Sequence, residues 1–156
     1  MHEIGHTLGL RHNFKASWLY NASDIHNKDI TGNNHIGSVM DYDPINIAPE
    51  GVEQGNYFPT EPGPYDIWAI TFGYTQDMKD ADRENLLSQS TKPELIFGTD
   101  DDAMGSPGSN TDPRNKRYDM SSDPITYTVQ RLQIIDNKIN ELPEIFNAVS
   151  YTHLTL

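Results

Sequence analysis

His2, Glu3, His6, Gly9 and His12 stand at fixed positions in the opening run H-E-I-G-H-T-L-G-L-R-H of a 156-residue chain. On an α-helix, residues four apart lie about 40° apart around the axis, so His2 and His6 project from one face and can share one ion. Glu3 falls about 100° round, beside that ion and not on it, where a base is useful. Ile4 and Leu8 take the opposite face, the side expected to meet a core. A third ligand at the next helical position would run straight past the ion. Gly9 admits the left-handed conformation that ends a helix and reverses the chain, which brings His12 back to the metal.

Three imidazoles leave a fourth tetrahedral position for water, the arrangement of a catalytic zinc and not of a structural one. Such an ion brings the pKa of its water towards neutral. Glu3 can then take the proton as the water attacks a peptide carbonyl, and pass it to the departing amine. A bare His-Glu-x-x-His arises by chance, but five fixed positions do so in roughly one such chain in a hundred thousand. The chemistry expected is therefore hydrolysis of peptide bonds in a protein or peptide substrate by a zinc endopeptidase. The alternatives are a zinc-bearing binding module that does not catalyse, and an inactive fragment of a larger protease. Retention of Glu3 and all three histidines counts against the first of these.

The elements that must position these residues read as mostly helix with long irregular loops. Residues 1–12 form a helix and a sharp turn, and 13–37 are polar loop with one short helix. Ser38 to Asp43 is a tight turn, and 44–64 is irregular and proline-rich. Pro64 opens a helix over I-W-A-I-T-F-G-Y that Gly73 closes. Asp77 to Ser90 reads as an exposed helix, Glu94 to Gly98 as a short strand and Thr99 to Asp119 as loop. From 124 to about 141, Ile125, Val129, Leu132, Ile135 and Ile139 recur at helical spacing. This divides the chain into a zinc-binding catalytic core over 1–75 and a helical C-terminal extension over 76–148. Residues 149–156, V-S-Y-T-H-L-T-L, read as a non-native tail.

The extended motif resembles the metzincin signature, and Ser38-Val39-Met40-Asp41-Tyr42, 28 residues after His12, resembles the methionine turn of that clan. The resemblance implies that Met40 packs beneath the three imidazoles without ligating. In astacin-like and serralysin-like metzincins a tyrosine two residues after this methionine reaches the zinc as an extra ligand and swings to hydrogen-bond the oxyanion. That role passes to Tyr42. The residue after the third histidine is Glu in astacins, Asp in adamalysins, Ser in matrixins and Pro in serralysins. Here it is Asn13, which matches none of them. The fuller run, with G-P-Y-D-I-W-A-I-T-F-G-Y, is similar to the zinc-binding domain of large bacterial metzincins, a group that includes the protease subunit of an AB5-type toxin. The resemblance implies a secreted or envelope-associated bacterial protein. It further implies that the chain is the C-terminal part of a zincin-like α+β catalytic domain whose upstream sheet is missing. The motif begins directly after Met1, so an N-terminal part of the same protein is an expected partner, and the fragment alone is expected to be a poor peptidase.

Composition narrows the remainder. A formal charge of -12 excludes nucleic acid and anionic membrane surfaces as partners, and no stretch has the length of a membrane span. The chain has no cysteine, so metal must be held by histidine and carboxylate. Asp100-Asp101-Asp102, with Asn110 and Asp112, carries oxygens of the kind Ca2+ prefers, but the spacing fits no EF-hand loop. A solvated acidic loop is the preferred reading. His26, His35 and His153 fall outside any ligand spacing and read as surface residues. Trp18, Trp68 and Phe72 read as core, with the last two packing the post-turn helix against the zinc domain.

Overall fold

The short first helix sets the architecture, because everything that follows is arranged around its exit. A computed structural model gives the fold; it describes residues 1–103 and 112–153, with side chains as far as Asn147. Helix α1 spans His2–Thr7 and is closed by Leu8. Gly9 adopts φ +85°, its N–H bonds to the His6 carbonyl, and Leu10 N–H reaches back to the Gly5 carbonyl, each at 3.0 Å. These two bonds form a Schellman cap, which needs a residue free to take a left-handed conformation at Gly9. The expected chain reversal is therefore present.

A 3-10 turn, Ala16–Leu19, and the single-turn α2, Lys28–Thr31, interrupt a long loop. Helix α3 spans Pro64–Tyr74, with proline in its first turn. Helix α4 spans Asp80–Ser88 and continues as a 3-10 turn over Gln89–Thr91. The single-turn α5 spans Asp100–Ala103, and α6 spans Pro124–His153 with Pro143 inside it. Asp123 caps α6, its Oδ1 accepting the Thr126 N–H at 3.1 Å. No helix among the described residues is long and apolar enough to cross a membrane.

Three expectations need correction. Glu94–Gly98 forms no strand, and the described residues contain none: Pro93–Leu95 is a 3-10 turn. Proline offers no N–H to a ladder, and two of the backbone groups beyond it are taken by the Asn13 side chain. Asn13 Nδ2 donates to the Ile96 carbonyl at 3.0 Å, and Gly98 N–H donates to Asn13 Oδ1 at 3.1 Å. Secondly, Ile4 and Leu8 are 62% and 40% exposed. Their face, with Met1, Leu10, Val39 and Ile67, lines an open apolar groove, since α1 buries only Gly5. Thirdly, Phe72 is exposed, because α3 turns other residues inward. Trp68 is half-buried and donates Nε1–H to the Leu86 carbonyl of α4 at 2.9 Å, so it docks α3 on α4. Trp18 is half-buried as well.

The core is small. Ile25, Met120 and Tyr127 form one buried cluster against Tyr20, while Phe14 and Met40 are fully buried beside His12 and Gly5, and Ile36 is fully buried as well. Thus Tyr127 secures the first turns of α6. Along α6, Ile125, Val129, Leu132, Ile135 and Ile139 keep the predicted helical spacing but are exposed.

Candidate metal centre

His2, His6 and His12 each offer a ligand nitrogen, and the three nitrogens lie within 4.8 Å of one another. Ring centroids are separated by 4.8 Å for His2–His6, 5.3 Å for His2–His12 and 4.9 Å for His6–His12. The other nitrogen of every ring is occupied. Nδ1 of His2 meets the Val39 carbonyl at 2.8 Å, and Nδ1 of His6 meets the Leu10 carbonyl at 3.0 Å. Nδ1 of His12 lies 2.9 Å from both carboxylate oxygens of Asp100. A carbonyl or carboxylate partner makes Nδ1 the protonated nitrogen and leaves Nε2 with its lone pair. Nε2 of His2 and of His12 are buried without any protein partner. Buried orphan acceptors of this kind are costly unless something binds them, and together with the exposed His6 they make a three-imidazole zinc donor set. Among the described residues this is the one group of three or more such side chains that converges as a ligand set.

The family of domains described as Met-zincin matches residues 1–155. The chain belongs to that family. No curated protein and no solved structure matches the chain. Membership makes this a metzincin-like zinc metallopeptidase domain and implies zinc as its metal; three clustered imidazoles, each with Nδ1 occupied, are a chemical fit to that ion.

The methionine turn of this Met-zincin lies directly beneath α1. Met40 is fully buried, and its thioether rests where a side chain on Gly5 would otherwise stand. Glycine between the two helical histidines is therefore a packing requirement. Asn13 N–H donates to the Met40 carbonyl at 3.0 Å, which joins the turn to the segment carrying the third histidine. From the other side, Asp66 of α3 accepts Ser38 Oγ–H at 2.5 Å and the N–H groups of Val39 and Gly63 at 2.8 Å each. The sequence reading gave Asp66 no part; an acidic residue three positions after the N-cap Gly63 is the signal for it, since it can reach back to the N-cap N–H as the second half of a capping box does.

Tyr42 stacks on His2 at 5.3 Å between ring centroids and lies 4.7 Å from His12. Tyr118 stacks on its far side at 6.1 Å and donates its N–H to the Tyr42 carbonyl at 2.9 Å. Tyr118 does so with φ +62°, a conformation that bulky residues rarely adopt. Glu3 stands exposed in the first turn of α1.

Asp100–Ala103 is a helical turn where loop was expected; Asp101 and Asp102 are exposed, as expected of a solvated acidic segment, while Asp100 is half-buried, and the three carboxylates do not share one point. Asp100 meets His12, Asp101 pairs with Arg11 at 3.1 Å, and Asp102 accepts the Thr99 N–H at 3.0 Å. Asp112 pairs with Lys15 and Arg114, while Asn110 lies outside the described residues. Burial pushes Asp100 up, but the hydrogen bond from His12 and its charge outweigh that and hold the carboxyl below its ordinary value. Beneath Tyr42, burial and the neighbouring Asp119 hold the Asp41 carboxyl well above the ordinary range. Burial likewise raises Asp119 to about 6.

His26 and His35 are buried and not on the surface. His35 is enclosed on all sides with Asp43 3.6 Å from Nε2, and burial, then Arg131 and His35, pull His26 down to about 4. Polar residues at these positions carry no apolar periodicity to betray their burial. The side chain of His153 lies outside the described residues.

Proposed function

We propose that this Met-zincin is a zinc endopeptidase in which His2, His6 and His12 hold the ion, Glu3 is the general base and Tyr42 stabilises the oxyanion. The observation that carries the reading is that each of the three rings has Nδ1 occupied, which leaves Nε2 to bind, while one ligand nitrogen from each lies within 4.8 Å of the others. When bound, zinc supplies Lewis acidity to the substrate carbonyl and to water. Glu3 accepts the proton of that water as its oxygen adds to the carbonyl carbon, then returns it to the amide nitrogen as the C–N bond breaks. Exposure of Glu3 leaves room for substrate to reach it. The Tyr42 ring, stacked on His2 and tilted against His12, supports the reading in which its hydroxyl proton is donated to charge developing on the carbonyl oxygen. Met40 supports the imidazoles by packing.

The test is Glu3→Gln in the natural polypeptide, with zinc content and cleavage of an unfolded protein measured together. Gln is nearly isosteric and cannot take a proton. Zinc should stay at one per chain while turnover falls by about 100- to 10,000-fold. Near-normal kcat would remove Glu3 from the mechanism. A wild-type protein that holds zinc and cleaves nothing would overturn the enzymatic reading in favour of a non-catalytic zinc module.

A further inference from the structure

The three ligands are not held alike. His2 and His6 lean on the neutral carbonyls of Val39 and Leu10, one from the adjoining turn and one from the cap of their own helix. His12 alone leans on a carboxylate, and that carboxylate comes from 88 residues downstream. The strap carrying Asp100 is fixed at several points. Asn13, next to His12, holds Ile96 and Gly98 through its amide, and Phe14 N–H donates to the Gly98 carbonyl at 2.7 Å. The Thr99 carbonyl accepts from Asn115 Nδ2 at 3.2 Å, and Asp102 caps the turn that Asp100 opens. His12 is also the one ligand outside α1, so no helix backbone sets its orientation.

We propose that Asp100 is a positioning residue for the third metal ligand: it fixes His12 as the Nδ1–H tautomer, aims Nε2 at the ion and strengthens that nitrogen as a donor. The inference rests on the reading of the three histidines as the zinc site. Carboxylate–histidine pairs of this kind make the imidazole a better base than a carbonyl partner does, and their loss typically weakens metal binding 10- to 100-fold.

Two measurements on the protein test this. The first is zinc affinity by competition with a chromogenic chelator. Asp100→Ala should raise the zinc Kd by about 10- to 100-fold, whereas Asp101→Ala, which removes the partner of Arg11 and not of His12, should leave it unchanged. The second needs no metal. Long-range 1H–15N spectra of the metal-free protein at about pH 8, where imidazoles are neutral, should show His12 as a single Nδ1–H tautomer. In the Asp100 variant that preference should be lost, a change that a merely structural ion pair would not produce. Should the alanine variant fail to fold, Asp100→Asn is measured in its place, with about tenfold weaker zinc expected from loss of the charge. A Kd within twofold of wild type together with an unchanged His12 tautomer overturns the proposal. Wild-type protein that binds no stoichiometric zinc, or His6→Ala protein that binds it as well as wild type, would instead overturn the site on which the proposal stands.

Discussion

Replacing Asp66 with alanine should be among the most destabilising single changes available in this chain. The carboxylate is 3% exposed and accepts three hydrogen bonds, one from Ser38 on Oδ1 and two, from Val39 and Gly63, on Oδ2. Hydrogen bonds to a charged group contribute about 1.5–3 kcal/mol each, so simple addition would give about 4.5–9 kcal/mol. The three are coupled, however. The Ser38 hydroxyl can rotate, and water can enter the space the carboxylate leaves. The two backbone N–H groups cannot turn away without opening the start of α3 or the methionine turn. We therefore expect a loss of about 4 kcal/mol, against the roughly 5–15 kcal/mol that holds a typical domain. Asp66→Asn separates the components. Its amide oxygen can still accept both N–H groups, because they share Oδ2, and only the bond from Ser38 is lost. The cost should then be about 1.5–2 kcal/mol. Urea unfolding of the metal-free protein, followed by circular dichroism, should rank wild type above Asn and Asn above Ala. Thermal midpoints should separate by about 2–4 °C per kcal/mol. An alanine variant within about 1 kcal/mol of wild type at unchanged m-value, or an asparagine variant below alanine, would refute the claim that Asp66 holds the turn.

Gly5→Ala gains roughly 0.8–1 kcal/mol of helix propensity but sets a methyl on the Met40 thioether. Overpacking should win by about 1–3 kcal/mol, and a raised Tm would show that Met40 yields easily. Tyr42→Phe should lower kcat about a hundredfold with little change in KM, since an oxyanion contact forms only in the transition state; unchanged kcat would confine Tyr42 to packing. Asp119 and His26 should pull stability in opposite directions with pH. Asp119 takes up its proton at about 6 when folded and at 3.8 otherwise, so its contribution is full below the lower value and is lost as pH rises through the upper. His26 resists protonation down to about 4 when folded, against 6.5 otherwise, so stability falls as pH drops through that window. Urea midpoints across this range should show a steeper acid loss for Asp119→Asn and a shallower one for His26→Gln, and profiles parallel to wild type would refute both assignments.

What sequence reasoning reached was local. The ligand spacing, the glycine reversal and the start of α3 at Pro64 are each decided by residues within one or two turns of one another, so their chemistry is visible in a short window. The partners that hold those pieces together were not visible. Asn13 was noticed only as a residue that matched no known subgroup; its structural role is to bridge to Ile96 and Gly98. Asp100 looked like part of an acidic run because charge patterning cannot show which carboxylate faces an imidazole 88 residues away. Ile4 and Leu8 failed in the opposite direction. Their helical phase was read correctly, but periodicity identifies an apolar face without showing that anything covers it, and both remain exposed.

The distance in sequence between His12 and Asp100 also orders events in time. Translation proceeds at about 5–20 residues per second, so the ribosome adds Asp100 roughly 4–18 s after His12. Helix α1 is six residues long, too short to persist alone, and gains its support once Met40 packs against Gly5. On the proposed reading of the zinc site, the nascent chain for those seconds carries three imidazoles of which the third has no carboxylate partner. Such a chain would hold a metal loosely and exchange it with the ligands around it, and the grip would tighten as the 96–100 strap docks. On the proposed role of Asp100, selection of the ion is deferred until most of the domain exists to hold it.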